Sequence, residues 1–215
     1  VEVDKIGEPS GIVSGTTKIT KDPVGLVIAD YAVRAIEASG LLKDGFSFQT
    51  GAGGASLAAA KYLKDVMLAK NIKGSYGLGG ITSYMVDMLN EGCFKALYDV
   101  QCFDLGAVES IRTNPKHMEV TAAHYASPTA KSSAVDNLDV VILGATEIDT
   151  NFNVNVHTDS NGYIMGGSGG HSDTAAGAKM SMIVAPLSRA RLPIVVDNVL
   201  CKSTPGNTVD VLVAQ

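Results

Sequence analysis

The chain has no tryptophan, only three cysteines, and no apolar run as long as the roughly 18 to 20 residues that a membrane-spanning helix needs. Cys93, Cys102 and Cys201 are odd in number and lack zinc-like spacing, which excludes a disulfide scaffold and fits a reducing cytosol. No basic segment leads into an apolar one near the start, so no secretory leader is expected. A net charge of −5 without tryptophan argues against a broad basic surface for nucleic acid. Neither nucleic acid nor membrane is therefore an expected partner. The four histidines show no helical metal spacing, and no metal site is expected. There is no repeat of solenoid period and no low-complexity tract. At 215 residues one α/β domain spanning 1–215 can bury a full core. The first residue is not Met, and 209–213 is strand-like with no closing element, so the sequence reads as a piece of a longer polypeptide.

What the chain does have is glycine in clusters. Residues 166–178 hold Gly166, Gly167, Gly169 and Gly170 in five positions, followed by His171, Ser172, Asp173 and an alanine-rich stretch. Such a loop allows positive φ and close approach of another molecule, and Ser172 or Asp173 is placed to cap the following short helix. The plain alternative is a tight turn joining two elements. A second loop of this kind, Gly51, Ala52, Gly53 and Gly54, lies between a strand expected over 46–50 and a helix expected over 55–69. A third glycine-dense stretch, 74–80, reads as an ordinary turn ahead of a helix over 82–90.

Along the chain, 11–20 alternates imperfectly and suggests an extended entry. Asp22 and Pro23 open a helix that Gly40 stops, apolar around most of its circumference and so expected to be buried against a sheet. A strand over 94–103 leads into Asp104 and Glu109, which puts Glu109 just past a strand end, where open α/β sheets bind their ligands. Residues 114–136 give no clear order. Residues 138–143 read as a buried parallel strand, and 151–156 with 163–165 flank Asp159, Ser160, Asn161 and Gly162 as a hairpin. Further apolar runs occupy 180–185 and 194–196. The expected fold class is α/β, a mostly parallel sheet flanked by helices with a β-hairpin addition.

Five motifs in order, at 48–54 (Phe-Gln-Thr-Gly-Ala-Gly-Gly), 103–110 (Phe-Asp-Leu-Gly-Ala-Val-Glu-Ser), 144–149 (Gly-Ala-Thr-Glu-Ile-Asp), 153–155 (Asn-Val-Asn) and 166–173 (Gly-Gly-Ser-Gly-Gly-His-Ser-Asp), resemble the second half of CoA-transferases. Within these the chain is most similar to the citrate lyase alpha family. The resemblance implies a CoA-transferase-like half, facing a similar half across the site. It implies exchange of acetyl for citrate on a phosphopantetheine-type thioester. No cofactor would be tightly bound, the CoA-like arm coming from an acyl carrier protein or CoA. The implied partners are a lyase (beta) subunit and the carrier protein, in an oligomeric complex.

Thioester exchange between carboxylates needs a carboxylate nucleophile and donors for an oxyanion. Glu109 is the candidate enzyme carboxylate, because related transferases carry a nucleophilic glutamate after a similar segment; here the spacing is one residue shorter, and direct attack by citrate is the alternative. The other reading of Glu109 is a solvated helix-end residue pairing with Arg112. Gln49 with Gly51, Gly53 and Gly54 would supply oxyanion and pantetheine contacts; otherwise Gln49 satisfies a neighbouring loop. The resemblance places Gly169 and Gly170 opposite, facing the acyl group, and His171 is a candidate donor to a citrate carboxylate or the leaving thiolate. Asp173 reads better as a cap than as an acid, and Glu147 and Asp149 as hairpin supports. Arg112, Arg189, Arg191 and Lys202 are equal candidates for binding citrate. Two other classes stay open: a sugar-phosphate isomerase or deaminase on a related α/β fold, and a non-catalytic half that shapes a partner domain's site.

Overall fold

The structure is a computed structural model that describes residues 2–5, 7–8, 17–189, 191–206 and 208–214. Of the extended entry expected over 11–20, residues 11–16 lie outside the described residues. Residues 18–20 form no strand, but the Thr20 N–H donates to the Gly54 carbonyl at 3.1 Å.

Asp22 caps the first helix, α1 (Pro23–Ala38), accepting from the Gly25 N–H at 3.2 Å, with Pro23 in the first turn where its missing N–H costs nothing. Gly40, at φ +73°, follows its end. Ala29, Ala32, Val33 and Ile36 are buried, whereas Val24 and Val27 are exposed, so α1 is covered on one side and not around most of its circumference. It lies against α2 (Gly54–Ala69), whose Ala58, Ala59 and Ala60 are fully buried. Small side chains let α2 come close to the strands below.

Strands β1 (Phe48–Thr50), β2 (Gly74–Ile81), β3 (Phe94–Cys102), β4 (His117–Glu119) and β5 (Val140–Leu143) alternate with helices. β6 (Glu147–Asp149) and β7 (Val154–Asn155) then form an antiparallel hairpin before β8 (Met180–Ile183). Six strands make one parallel sheet in the order β4-β3-β2-β1-β5-β8. Side chains alternate between its faces. Phe48, Val140 and Ile142 join the core under α1, α2 and α3 (Ser83–Asn90). Leu78, Val141 and Leu143 face Tyr125 and Ala126 of α5 (Ala122–Ala126, preceded by α4 at Leu105–Thr113) and a 3-10 turn at Ala134–Asn137. Burial on both faces explains why 138–143 is continuously apolar. The expected fold class holds.

Two expectations are corrected and one unordered stretch gains its elements. Residues 74–80 are the core of β2, the longest-paired neighbour of β3, and not a turn. The glycines are there because their neighbours are large. A Cβ on Gly74 would lie 2.5 Å from the Phe94 ring, one on Gly77 would lie 2.5 Å from Met85 Cε and 2.7 Å from Leu97 Cδ2, and Gly80 faces the Phe103 ring. Residues 114–136 hold β4 and α5, the latter capped by Thr121, whose Oγ1 accepts from the His124 N–H at 3.1 Å. The turn at 159–162 exists, with Gly162 at φ +83°, but closes only an isolated Thr158–Ile164 bridge, because Val154 and Asn155 pair with β6 instead. A short antiparallel pair, β9 (Ser188–Arg189) and β10 (Leu192–Pro193), precedes β11 (Val195–Val196), which joins β6 in parallel.

Gly77→Ala is expected to lower the unfolding free energy by about 1–3 kcal/mol through overpacking. Gly144→Ala, whose added Cβ meets nothing within 4 Å, is expected to stay within about 0.5 kcal/mol of the wild type. Denaturant titration of the two variants checks this, and a neutral Gly77→Ala contradicts the packing account of β2.

Candidate functional site

β1 leads through α2 to β2 on one side of the sheet, while β5 leads through the β6–β7 hairpin to β8 on the other. The carboxyl ends of β1 and β5 are therefore adjacent strands whose continuations diverge, the place where open parallel sheets form a ligand crevice. The Gly51 N–H donates to the Ile142 carbonyl at 2.9 Å and locks the two ends together. Gly53 is the N-cap of α2 and Gly54 its first residue, with no side-chain cap, so the first-turn N–H groups of a 16-residue helix are left without a side-chain acceptor beside this crevice. A Cβ on Gly54 would meet the backbone of residues 18 and 20 at 3.3 and 3.1 Å, which ties that glycine to the entry segment.

The second glycine loop leads to α6 (His171–Gly177), with Gly170 as N-cap. Ser172 and Asp173 are thus not caps, a correction: the helix starts before them without a side-chain cap, and the Gly170 carbonyl accepts both the Thr174 N–H at 2.9 Å and Thr174 Oγ1 at 2.8 Å. Asp173 sits in the first turn, where its charge suits the helix dipole. Gly169 is at φ +51°, and Cβ atoms on Gly166, Gly167 and Gly169 would meet nothing within 4 Å.

His171 is buried at the base of this loop, with Nε2 2.9 Å from the Gly144 carbonyl and Nδ1 2.7 Å from Thr204 Oγ1. A carbonyl only accepts, so Nε2 carries the proton and Nδ1 accepts from Thr204. Burial pushes the imidazole pKa down, partly offset by the Gly144 carbonyl. Both ring nitrogens are occupied, so His171 braces the end of β5 and leaves no nitrogen free for a citrate carboxylate or thiolate.

Gln49 is the inward amide of β1, 5% exposed, donating from Nε2 to Tyr125 Oη at 2.7 Å. Its Oε1 is buried without a partner among the described residues. Tyr125 in turn lies against Gly170, where a Cβ would be 2.5 Å from ring Cε1. The structure therefore brings Gln49 and Gly170 together through a tyrosine that the sequence reading did not single out. Nothing in the pattern of 114–136 marks it.

Glu109 is set apart from this group. It lies on the second turn of α4 and not just past the strand end, which belongs to the cap Asp104. Its Oε1 and Oε2 bind Arg112 Nη2 and Nε at 2.6 and 3.0 Å on the exposed helix face, and the guanidinium holds the carboxyl below the usual carboxylate range. It borders a groove between α3 and α4 with Val86, Asn90 and Ser110.

Four buried acids are held by donors. Asp104 accepts from the Ser83 N–H (2.8 Å), Ser83 Oγ (2.7 Å) and the Ala107 N–H (2.9 Å), capping α3 and α4 at once. Glu147 takes Asn155 Nδ2 (2.7 Å) and the Leu200 N–H (2.8 Å). Asp149 takes the Asn151 and Asn153 N–H groups, Asn153 Nδ2 and the Val199 N–H. The motifs at 144–149 and 153–155 thus form a clasp on residues 199–206, as the hairpin reading of Glu147 and Asp149 expected. Asp99 is buried between His117 Nε2 (3.0 Å) and the Cys102 thiol (3.0 Å), and His117 Nδ1 meets Ser110 Oγ at 2.9 Å. These three line up as a hydrolytic triad would, yet the His117 and Asp99 side chains are 0% and 1% exposed at the joint of β3, β4 and α4. Burial, then Asp99, pushes the Cys102 thiol up to about 12, which removes it as a thiolate. Among the described residues no group of three or more His, Cys, Asp or Glu is placed to hold a metal ion. No helix among them is long and apolar enough to cross a membrane.

A 4-hydroxybutyrate CoA-transferase from Porphyromonas gingivalis superposes on 89% of this chain and 46% of its own, with TM-score 0.58 at 18% identity, which establishes the fold. The family described as citrate lyase, alpha subunit, matches residues 1–215. The chain is 51% identical to the citrate lyase alpha chain of Klebsiella pneumoniae over 213 residues, 99% of this chain and 42% of that protein. A structure described as the alpha subunit of citrate lyase from Streptococcus mutans, in complex with citrate, superposes with TM-score 0.89 at 50% identity, over 95% of this chain and 40% of that one. The chain belongs to the citrate lyase alpha subunit family and spans less than half the length of these relatives.

Unfolded histidine takes up a proton below about pH 6.5, whereas buried His171 does so only at lower pH. Unfolding therefore binds a proton in that window, and stability falls as pH drops from 7 through it. Denaturant midpoints between pH 5 and 8 are expected to show this slope in the wild type and a reduced one in His171→Gln. An unchanged slope would remove the neutral-imidazole assignment.

Proposed function

We propose that this chain supplies one half of an acyl-exchange site, in which citrate replaces acetate on the thioester of a phosphopantetheine-type arm. Membership of the citrate lyase alpha family supports the reaction class. The observation that supports the mechanism is the state of the candidate acid: Glu109 is paired with Arg112 on an exposed helix face outside the crevice, while Asp99, Asp104, Glu147 and Asp149 are each fixed by several donors. In this reading the nucleophile is a carboxylate of citrate itself. Its oxygen attacks the acetyl carbonyl, the C–S bond breaks, and the thiolate leaves a mixed acetyl–citryl anhydride. The thiolate then attacks the citryl carbonyl and acetate departs, so atoms balance without a metal or a tightly bound cofactor. The first-turn N–H groups at Gly53 and Gly54, with the turn at Gly169 and Gly170, are the donors available to the two oxyanions. The arm is delivered by an acyl carrier protein or CoA, and the citryl thioester passes to a lyase (beta) subunit within an oligomeric complex.

The test uses the full-length polypeptide with acetyl thioester and labelled citrate. Citrate-dependent acetate release is expected, with no borohydride- or hydroxylamine-trapped adduct on the peptide carrying Glu109. Glu109→Gln is expected to keep kcat within about threefold, since only a solvated ion pair is lost. A trapped Glu109 adduct, or a loss of about a hundredfold or more, would restore the enzyme carboxylate as nucleophile.

A further inference from the structure

The contact between Gln49 and Tyr125 adjoins the turn at Gly170. Tyr125 Oη takes the Gln49 N–H at 2.7 Å, and Gln49 Oε1 stays buried without a partner among the described residues. On the other side of the turn the Thr174 hydroxyl donates to the Gly170 carbonyl at 2.8 Å, with the His171 carbonyl 3.3 Å from the same oxygen. Burial pushes the Tyr125 pKa up, which keeps its hydroxyl protonated.

Packing holds the same groups. Gly170 rests directly on Tyr125, where a Cβ would be 2.5 to 2.9 Å from Cε1, Oη and Cζ. Gly79, at φ +104°, closes on the Gln49 amide, where a Cβ would be 2.9 Å from Cδ. The Gln49 amide is buried, and Thr174 is fully so.

We infer that Tyr125 is a positioning residue of the acyl-exchange site, setting the turn at Gly169–His171 through its contact with Gly170, and that Gln49 anchors Tyr125 instead of meeting the substrate. The inference rests on the acyl-exchange reading above. It moves Gln49 out of the oxyanion site and leaves that task to backbone N–H groups.

A double-mutant cycle in the full-length polypeptide decides it. Gln49→Met and Tyr125→Phe are each expected to lower kcat about tenfold while KM for citrate changes about twofold or less, and the double variant to be no worse than the weaker single. Because the turn lines the acyl group, the preference for acetyl over propionyl thioester is also expected to shrink in all three variants, a readout that a merely stabilising contact would leave alone. Losses that multiply, or a Gln49→Met loss of about a hundredfold beside a near-normal Tyr125→Phe, would mean that Gln49 touches the reacting centre and would overturn the inference. Should either first variant fail to fold, Thr174→Val removes the hydroxyl bond to the Gly170 carbonyl and loosens the same turn; the same acyl preference as wild type there counts against the inference. Absence of transfer in the wild type would remove the acyl-exchange reading and this inference with it, whereas transfer with multiplying losses removes this inference alone.

Discussion

Close parallel pairing of β1 with strands on both sides is the constraint from which the rest of the domain follows. Phe48 and Gln49 pair with β2 on one edge, Phe48, Gln49 and Thr50 with β5 on the other, and the Gly51 N–H extends the second pairing to the Ile142 carbonyl. Centring the sheet on so short a strand forces both faces to be covered and forces the two flanking connections to leave in opposite directions. The crevice is the outcome of that divergence. It needs no special residue to form, only the loops that keep its rim low.

Glycine serves two opposed ends in this chain. In β2 it makes room inward, so that Phe46, Phe94, Leu97 and Met85 can approach the strand backbone. At Gly166, Gly167 and Gly169 it leaves space outward, with no atom of the chain in the position a side chain would take. Composition treats the two alike. That is why 74–80 reads as a turn from sequence although it is a central strand: the local signal is conformational freedom, and the deciding fact is the size of residues outside the stretch, such as Met85, Phe94 and Leu97.

Elements whose cause is local were legible. Asp22 with Pro23, the apolar run ending at Leu143, and the helix after Gly53 all carry their own caps or periodicity. The crevice loops were legible too, because glycine clusters between strand and helix have few other uses. The arrangement of side chains around the crevice was not. Whether His171 offers a nitrogen depends on Gly144 and Thr204, 27 and 33 residues distant. Whether Glu109 stands at the strand end depends on where Asp104 starts the helix, a matter of two hydrogen bonds. Tyr125 became visible only once β1 and α6 were placed beside α5, since nothing near it in the chain explains a buried hydroxyl.

The order in which the sheet is assembled has a consequence for the chain as it is made. Ser47, at the foot of β1, is bound to Asp139, 92 residues later, whereas β2 is available after only about a third of that length. From the ribosome β1 emerges early, gains one neighbour, and then waits with its other edge bare until β5 has been synthesised. An open parallel edge is a template for mispairing, and long-range parallel closure is slow. The brevity of β1 limits that exposure, since three residues offer little to a foreign strand. A central strand long enough to be stable by itself would have been the greater hazard during synthesis.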